Sequence, residues 1–180
     1  MPNKRTTNNW YVFTGGPSAG KTTLLQFLEK KGFIVQYEAA RAYFDQQIAL
    51  GKSITEIRSD EASFQQTVLE LKIQNESKLP ANELILFDRG IPDSIAYYEI
   101  AGLPIDDPYL QRAVNNSCYK KVFLLELLDF EADYARTDAK DAERIQALLL
   151  KYYELEGYKV IQVPAISVEK RADFILNHLE

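Results

Sequence analysis

The chain has 180 residues, 46% of them hydrophobic and 26% charged, a size and balance that suit one globular domain, residues 1–180, with a sizeable core. Its net charge of −5 argues against a generic nucleic-acid-binding surface. A lone cysteine, Cys118, rules out an internal disulfide, and a lone histidine, His178, near the C-terminus, rules out histidine triads and histidine-rich metal sites.

The first nine residues are polar and make no signal peptide, and no apolar run reaches membrane-spanning length. Cytoplasmic location and no membrane insertion are the expectations. Trp10-Tyr-Val-Phe-Thr14 then reads as a buried strand. It runs into Gly15-Gly16-Pro17-Ser18-Ala19-Gly20-Lys21-Thr22, a G-x-x-x-x-G-K-T phosphate loop, with Thr23 beside it. Leu24, Leu25, Phe27 and Leu28 recur at helical spacing, and Gly32 stops that helix. Strand, glycine-rich loop and helix form the context in which backbone N–H groups close around phosphate oxygens. In such a loop Lys21 reaches the β- and γ-phosphates and the Thr22 hydroxyl holds Mg²⁺.

Phe33–Tyr37 reads as a second strand, followed by a helical stretch from Glu38 to Leu50 and a loop over Gly51–Thr55. Ser59 or Asp60 caps a long helix carrying Phe64, Val68, Leu71 and Ile73. Leu84–Phe87 is a third strand leading into Asp88-Arg89-Gly90, and Pro92 opens the next helix. Pro108 to about Ser117 is a short helix, and Lys121–Leu125 a fourth strand. A charged stretch, about 129–144, resembles a solvated lid and grades into a helix that Gly157 closes. Tyr158–Val163 is a fifth strand, and Ser167 caps a last helix. Alternating strands and helices imply an α/β fold: a parallel sheet, right-handed crossovers and helices on both faces. Ligands then sit beyond the C-terminal ends of the strands.

The residues that follow strands carry the chemistry. Asp88 stands where a second acid of a phosphate site binds Mg²⁺, directly or through water. Arg89 offers a planar fork suited to a substrate or phosphate, where a motor ATPase carries a second acid. Glu38 sits at the same sheet edge and can take or orient the proton of an acceptor hydroxyl, or serve only as a helix-start acid. Arg41 pairs with Glu38, holds a substrate anion, or is a solvated surface residue. Arg136 and Arg144, in the candidate lid, can neutralise a transferring phosphoryl group. Phe64 reads as core, with Gln65 and Gln66 as surface residues; an acceptor pocket is the alternative.

The combination of Phe13-Thr-Gly-Gly-Pro-Ser-Ala-Gly-Lys-Thr-Thr23, Glu38-Ala-Ala-Arg41, Phe87-Asp-Arg-Gly90 with Pro92-Asp93, and Gly157–Pro164 resembles the NadR-type AAA domain family of P-loop proteins over nearly the whole chain. That family includes a ribosylnicotinamide kinase domain and a GTP-binding trafficking protein. The Asp-Arg-Gly step is also similar to the Asp/Glu-Arg-Ser step of deoxynucleoside kinases. The resemblance implies a three-layer P-loop NTPase fold of the nucleotide-kinase kind, five parallel strands ordered 2-3-1-4-5 with a lid, and ATP or GTP with Mg²⁺. It carries Lys21, Thr22, Glu38, Asp88, Arg89 and Arg144 into the roles argued above. A kinase acting on a small, nucleoside-like acceptor is the leading expectation. A nucleotide-dependent switch with slow hydrolysis is the alternative, although the chain has no N-K-x-D guanine motif. A transporter or motor ATPase is disfavoured by the lack of an L-S-G-G-Q-like signature.

Overall fold

The three central strands form because each is a short run of apolar residues that can be covered on both faces. The computed structural model describes residues 8–128 and 139–179. β1 (Trp10–Thr14), β3 (Ile85–Asp88) and β4 (Lys121–Leu125) are buried along almost their whole length. β2 (Ile34–Gln36) and β5 (Val160–Val163) flank them and are more open; Ile34 is 49% exposed. All pairings are parallel, in the order β2-β3-β1-β4-β5.

The two-residue alternation of β1 divides the core. Tyr11 and Phe13 join Leu86 and Phe123 under α1 (Lys21–Lys30) and α8 (Val168–Leu176). Trp10 and Val12 point to the opposite face, where they meet Phe87, Val122, Tyr119 and Tyr153. That second face is covered by α4 (Glu61–Ser77), α5 (Asp93–Ile100), α6 (Pro108–Asn116) and α7 (Ala139–Leu155). Register pairs Phe13 with Asp88 and with Phe123, and Gln36 with Phe87. The phosphate loop, Glu38 and Asp88 therefore leave the sheet along one edge.

Local signals set the helix ends. Asp60 caps α4 by accepting from the Ser63 N–H at 3.0 Å, and Asp107 caps α6 ahead of Pro108. The stretch expected as a loop over 51–55 is different in its second half. α3 (Ile54–Ile57) begins there, because Ser53 and Glu56 form a reciprocal capping box. α2 (Ala39–Ala49) follows β2. The second, third and fifth strands each start or end a residue or two away from their sequence bounds. No described helix is long and apolar enough to cross a membrane.

Candidate active site

The loop after β1 needs glycine for two reasons. Gly15 has φ 147°, and a Cβ there would lie 2.8 Å from the Leu125 carbonyl oxygen. The loop delivers the chain to α1, whose N-cap residue Gly20 offers no side chain to the first-turn N–H groups. No acid occupies that turn either, so the positive end of the helix is open to an anion. Lys21 is buried, and its ammonium donates to the carbonyls of Gly15 at 3.0 Å and Gly16 at 3.3 Å. Burial, followed by the charge of Arg89, lowers its pKa to about 8. Phosphate oxygens would be stronger partners for this cation than two neutral carbonyls.

Asp88 ends β3 and is 5% exposed. Its Oδ1 is buried with no hydrogen-bond partner. Burial, followed by the negative charge of Glu38, raises its pKa to about 6, against the pull of Lys21 and Arg89. A buried carboxylate oxygen left without a donor is costly unless something absent from the polypeptide completes it. Thr22 is half-buried in the first turn of α1. The described residues contain no group of three or more His, Cys, Asp or Glu able to hold a metal. The unpartnered Asp88 oxygen fits Mg²⁺, which takes one or two protein ligands and completes its shell with phosphate and water.

Arg89 turns the chain. Its φ of 67° is left-handed, a strained conformation for a residue with a Cβ, and its N–H is held by the Phe13 carbonyl at 3.0 Å. The turn buries the guanidinium between two carboxylates. Nε donates to Glu38 Oε1 at 3.0 Å and Nη1 donates to Asp93 Oδ1 at 3.2 Å. The Tyr97 ring lies under the guanidinium carbon at 5.1 Å. Burial opposes the charge, yet Tyr97, Glu38, Asp93 and Asp88 hold its pKa well above the ordinary value.

Asp93 is the fully buried anchor of this group. It accepts from the Thr14 hydroxyl at 2.6 Å, the Gly90 N–H at 2.9 Å, Arg89 and the Tyr153 hydroxyl. Burial alone would raise its pKa; Arg89, Lys72 and the two hydroxyls hold it below the usual carboxylate value. Gly90 permits the packing, since a Cβ there would lie 2.8 Å from the Tyr153 hydroxyl. The buried Lys72 closes the group, donating at 3.1 Å to both the Gly90 carbonyl and the Ser94 hydroxyl. Burial lowers its pKa.

Glu38 occupies the N-cap position of α2 without capping it. Its carboxylate turns to Arg89 and to a cavity of about 140 Å³. Phe44, Phe64, Val68 and Tyr97 supply apolar walls, with Gln65, Lys72 and Arg58 among the polar groups. Gln65 is 5% exposed and donates to Glu61 at 2.9 Å, so it is not the surface residue expected from its neighbours.

A family model described as an AAA domain matches residues 10–171. The chain belongs to this AAA domain family. No curated protein matches its sequence. Solved structures similar to the AAA domain include thymidylate kinase from Ehrlichia chaffeensis, at TM-score 0.68 and 15% identity, covering 95% of this chain and 98% of that one. Deoxyadenosine kinase from M. mycoides, with products dCMP and dCDP bound, has TM-score 0.65 and 17% identity, covering 94% and 98%. NadR protein in complex with NR has TM-score 0.65 and 18% identity, covering 89% of this chain but 46% of that one. These likenesses show the fold: the parallel α/β, three-layer P-loop architecture of nucleotide kinases.

The AAA domain brings Lys21, Glu38, Asp88 and Arg89 to one edge of the sheet. Ala142 and Gln146, four residues apart, share the α7 face against the phosphate loop. Gln146 accepts from the Gly16 N–H at 2.7 Å and donates to the Leu125 carbonyl at 2.9 Å. Arg144, midway between them, falls on the exposed face. Arg136 and most of the expected lid lie outside the described residues. Arg41 is exposed on α2, and Arg89 rather than Arg41 pairs with Glu38. Sequence reasoning did not single out Asp93, Lys72, Gln146 or Arg171 for the site. The buried Arg171 joins three loops, donating to the carbonyls of Pro164 at 2.8 Å, Glu126 at 2.7 Å and Ala19. The one available hint was for Asp93, four residues after Arg89 at the head of a helix.

Proposed function

We propose that this AAA domain is a Mg²⁺-dependent phosphotransferase. It moves the γ-phosphate of ATP or GTP to a hydroxyl of a small, nucleoside-like acceptor. The observation that carries the reading is the aromatic-walled cavity with Glu38 and Arg89 on its wall, beside the unpartnered oxygen of Asp88. A nucleotide switch needs no second cavity bearing a potential base. Support from the fold comes from nucleotide and nucleoside kinases and from NadR bound to NR.

Residues Gly15, Gly16, Pro17, Ser18, Ala19, Gly20, Lys21, Thr22 and Thr23 cradle the phosphates, with Lys21 leaving its loop carbonyls for the β- and γ-phosphate oxygens. Thr22 and Asp88 hold Mg²⁺, which when bound supplies charge neutralisation at the phosphates. The acceptor lies between Phe44, Phe64 and Tyr97 with its hydroxyl at Glu38. As that oxygen attacks the γ-phosphorus, Glu38 takes the proton and the nucleoside diphosphate leaves. Arg89 orients Glu38 and holds its charge in place. Gln65 offers an amide to the acceptor ring.

The test is consumption of ATP or GTP with Mg²⁺ across a panel of nucleosides including nicotinamide riboside, with product detected by mass. One acceptor gaining a phosphate supports the reading. Glu38→Gln should then lower turnover by about 10²-fold or more with nucleotide affinity kept. Tight nucleotide binding, slow acceptor-independent hydrolysis and a silent Glu38→Gln would establish a switch instead.

A further inference from the structure

A second cavity, of about 320 Å³, lies between α4 and α6 near the start of β1. It shares no lining residue with the cavity at Glu38. Its volume falls in the range of small-molecule sites. Helix α6 sets Tyr109, Arg112 and Asn116, all exposed, along its rim, while Leu110, Ala113 and Val114 turn to the core. Helix α4 contributes Ile73 and Glu76, and Trp10 forms part of the wall.

Two opposite charges face this space without meeting. Glu76 and Arg112 both line the cavity, yet they form no ion pair. Glu76 accepts from the Tyr119 hydroxyl, which in turn accepts from the Ile91 N–H at 2.8 Å. Burial raises the Glu76 pKa to about 7, against the Tyr119 hydroxyl and the charge of Lys72. Arg112 is exposed at the mouth of the cavity and has no hydrogen bond or ion pair among the described residues. A guanidinium in that state keeps its planar fork for a carboxylate.

We infer that this cavity is a second small-molecule site for an amphoteric ligand, with an ammonium or N–H group on Glu76, a carboxylate on Arg112 and an apolar body against Trp10 and Ile73. That is the chemistry of a free amino acid or an aminoalkyl-benzoate. The inference is independent of the proposed phosphoryl transfer, because none of its residues belongs to that site.

Trp10 is the chain's only tryptophan, so its emission reports directly on this wall. The full-length protein is titrated with L-leucine, L-phenylalanine and 4-(aminomethyl)benzoate. Benzylamine and phenylacetate are the single-ended controls. The expected result is a saturable change in Trp10 emission with at least one amphoteric probe and binding about tenfold or more weaker for both controls. Arg112→Met should weaken that binding by about tenfold or more while leaving ATP-induced thermal stabilisation unchanged. Glu76→Gln is the second variant; Arg112→Met, at an exposed position, carries the test if Glu76→Gln does not fold. No emission change with any probe up to about 10 mM would overturn the inference, a concentration above the weakest affinity a specific site needs. So would controls that bind as well as the amphoteric probes, or an Arg112→Met protein that binds like wild type.

Discussion

Replacing Asp88 by Asn should stabilise the ligand-free protein while removing its response to Mg²⁺. The buried carboxylate has a pKa of about 6 against an ordinary 3.8, so at pH 7 its charge costs the folded state about 3 kcal/mol. The attractions of Lys21 and Arg89 are already contained in that value. Asparagine keeps the shape and removes the charge, but its amide is buried too, at a cost of about 1–2 kcal/mol. The net expectation is a gain of about 1–2 kcal/mol in urea unfolding at pH 7 with chelator present. The pH dependence is specific. The folded-state pKa is raised, so the folded protein takes up a proton at Asp88 between pH 6 and 4 that the unfolded chain does not yet hold. Wild-type stability at this site therefore rises as pH falls through 6, and the gap to Asp88→Asn closes at about pH 5 and reverses by about pH 4. In parallel, the thermal shift produced by ATP with Mg²⁺ should vanish in the variant. A variant less stable than wild type at pH 7, or a gap that does not change between pH 7 and 4, would refute the claim that Asp88 is an under-partnered ligand awaiting a cation.

Asp93→Ala strands Arg89 and removes the acceptor for Thr14, Tyr153 and the Gly90 N–H, so unfolding free energy should fall by about 3–5 kcal/mol in denaturant titrations. Its sign with pH is opposite to that of Asp88. The Asp93 pKa is depressed on folding, so its contribution is complete above the unfolded value near 3.9 and is lost only as pH falls below it, through the folded value. Lys21→Met should reduce phosphoryl transfer by about 10²-fold or more and weaken nucleotide binding by calorimetry, with unfolding changed little because its present partners are two loop carbonyls. Gly90→Ala drives a methyl group to 2.8 Å from the Tyr153 hydroxyl and should cost about 1–3 kcal/mol in chemical unfolding; an unchanged midpoint would mean that the tyrosine yields freely.

What the sequence made legible was local. The phosphate loop, the five strands and their helical crossovers follow from short-range patterns, and the sheet edge they create brings Glu38 near Asp88. The family resemblance supplied the strand order. The partnerships were not legible. Arg89 meets Glu38 across 51 residues, and Thr14 meets Asp93 across 79. No periodicity reports contacts at that range. Gln65 read as surface because its neighbour Gln66 is, yet one step along a helix rotates a side chain by about 100°. Arg144 read as a candidate phosphate contact from its place near the lid; two steps of the same rotation set it on the exposed side of α7, opposite Gln146. The capping box at Ser53 was readable as S-x-x-E, but four residues are too few for hydrophobic periodicity to announce a helix.

The two carboxylates on Arg89 differ in permanence. Asp93 is wholly enclosed, while the Glu38 side chain is 27% exposed at the cavity. In the proposed phosphoryl transfer, an acceptor hydroxyl can therefore draw Glu38 away, or protonate it, while the guanidinium retains a fixed counter-ion. Without Asp93, each turnover would pass through a state with a bare cation in the protein interior. With it, the candidate base can exchange partners at little cost, and the turn at Arg89 keeps its shape while it does so.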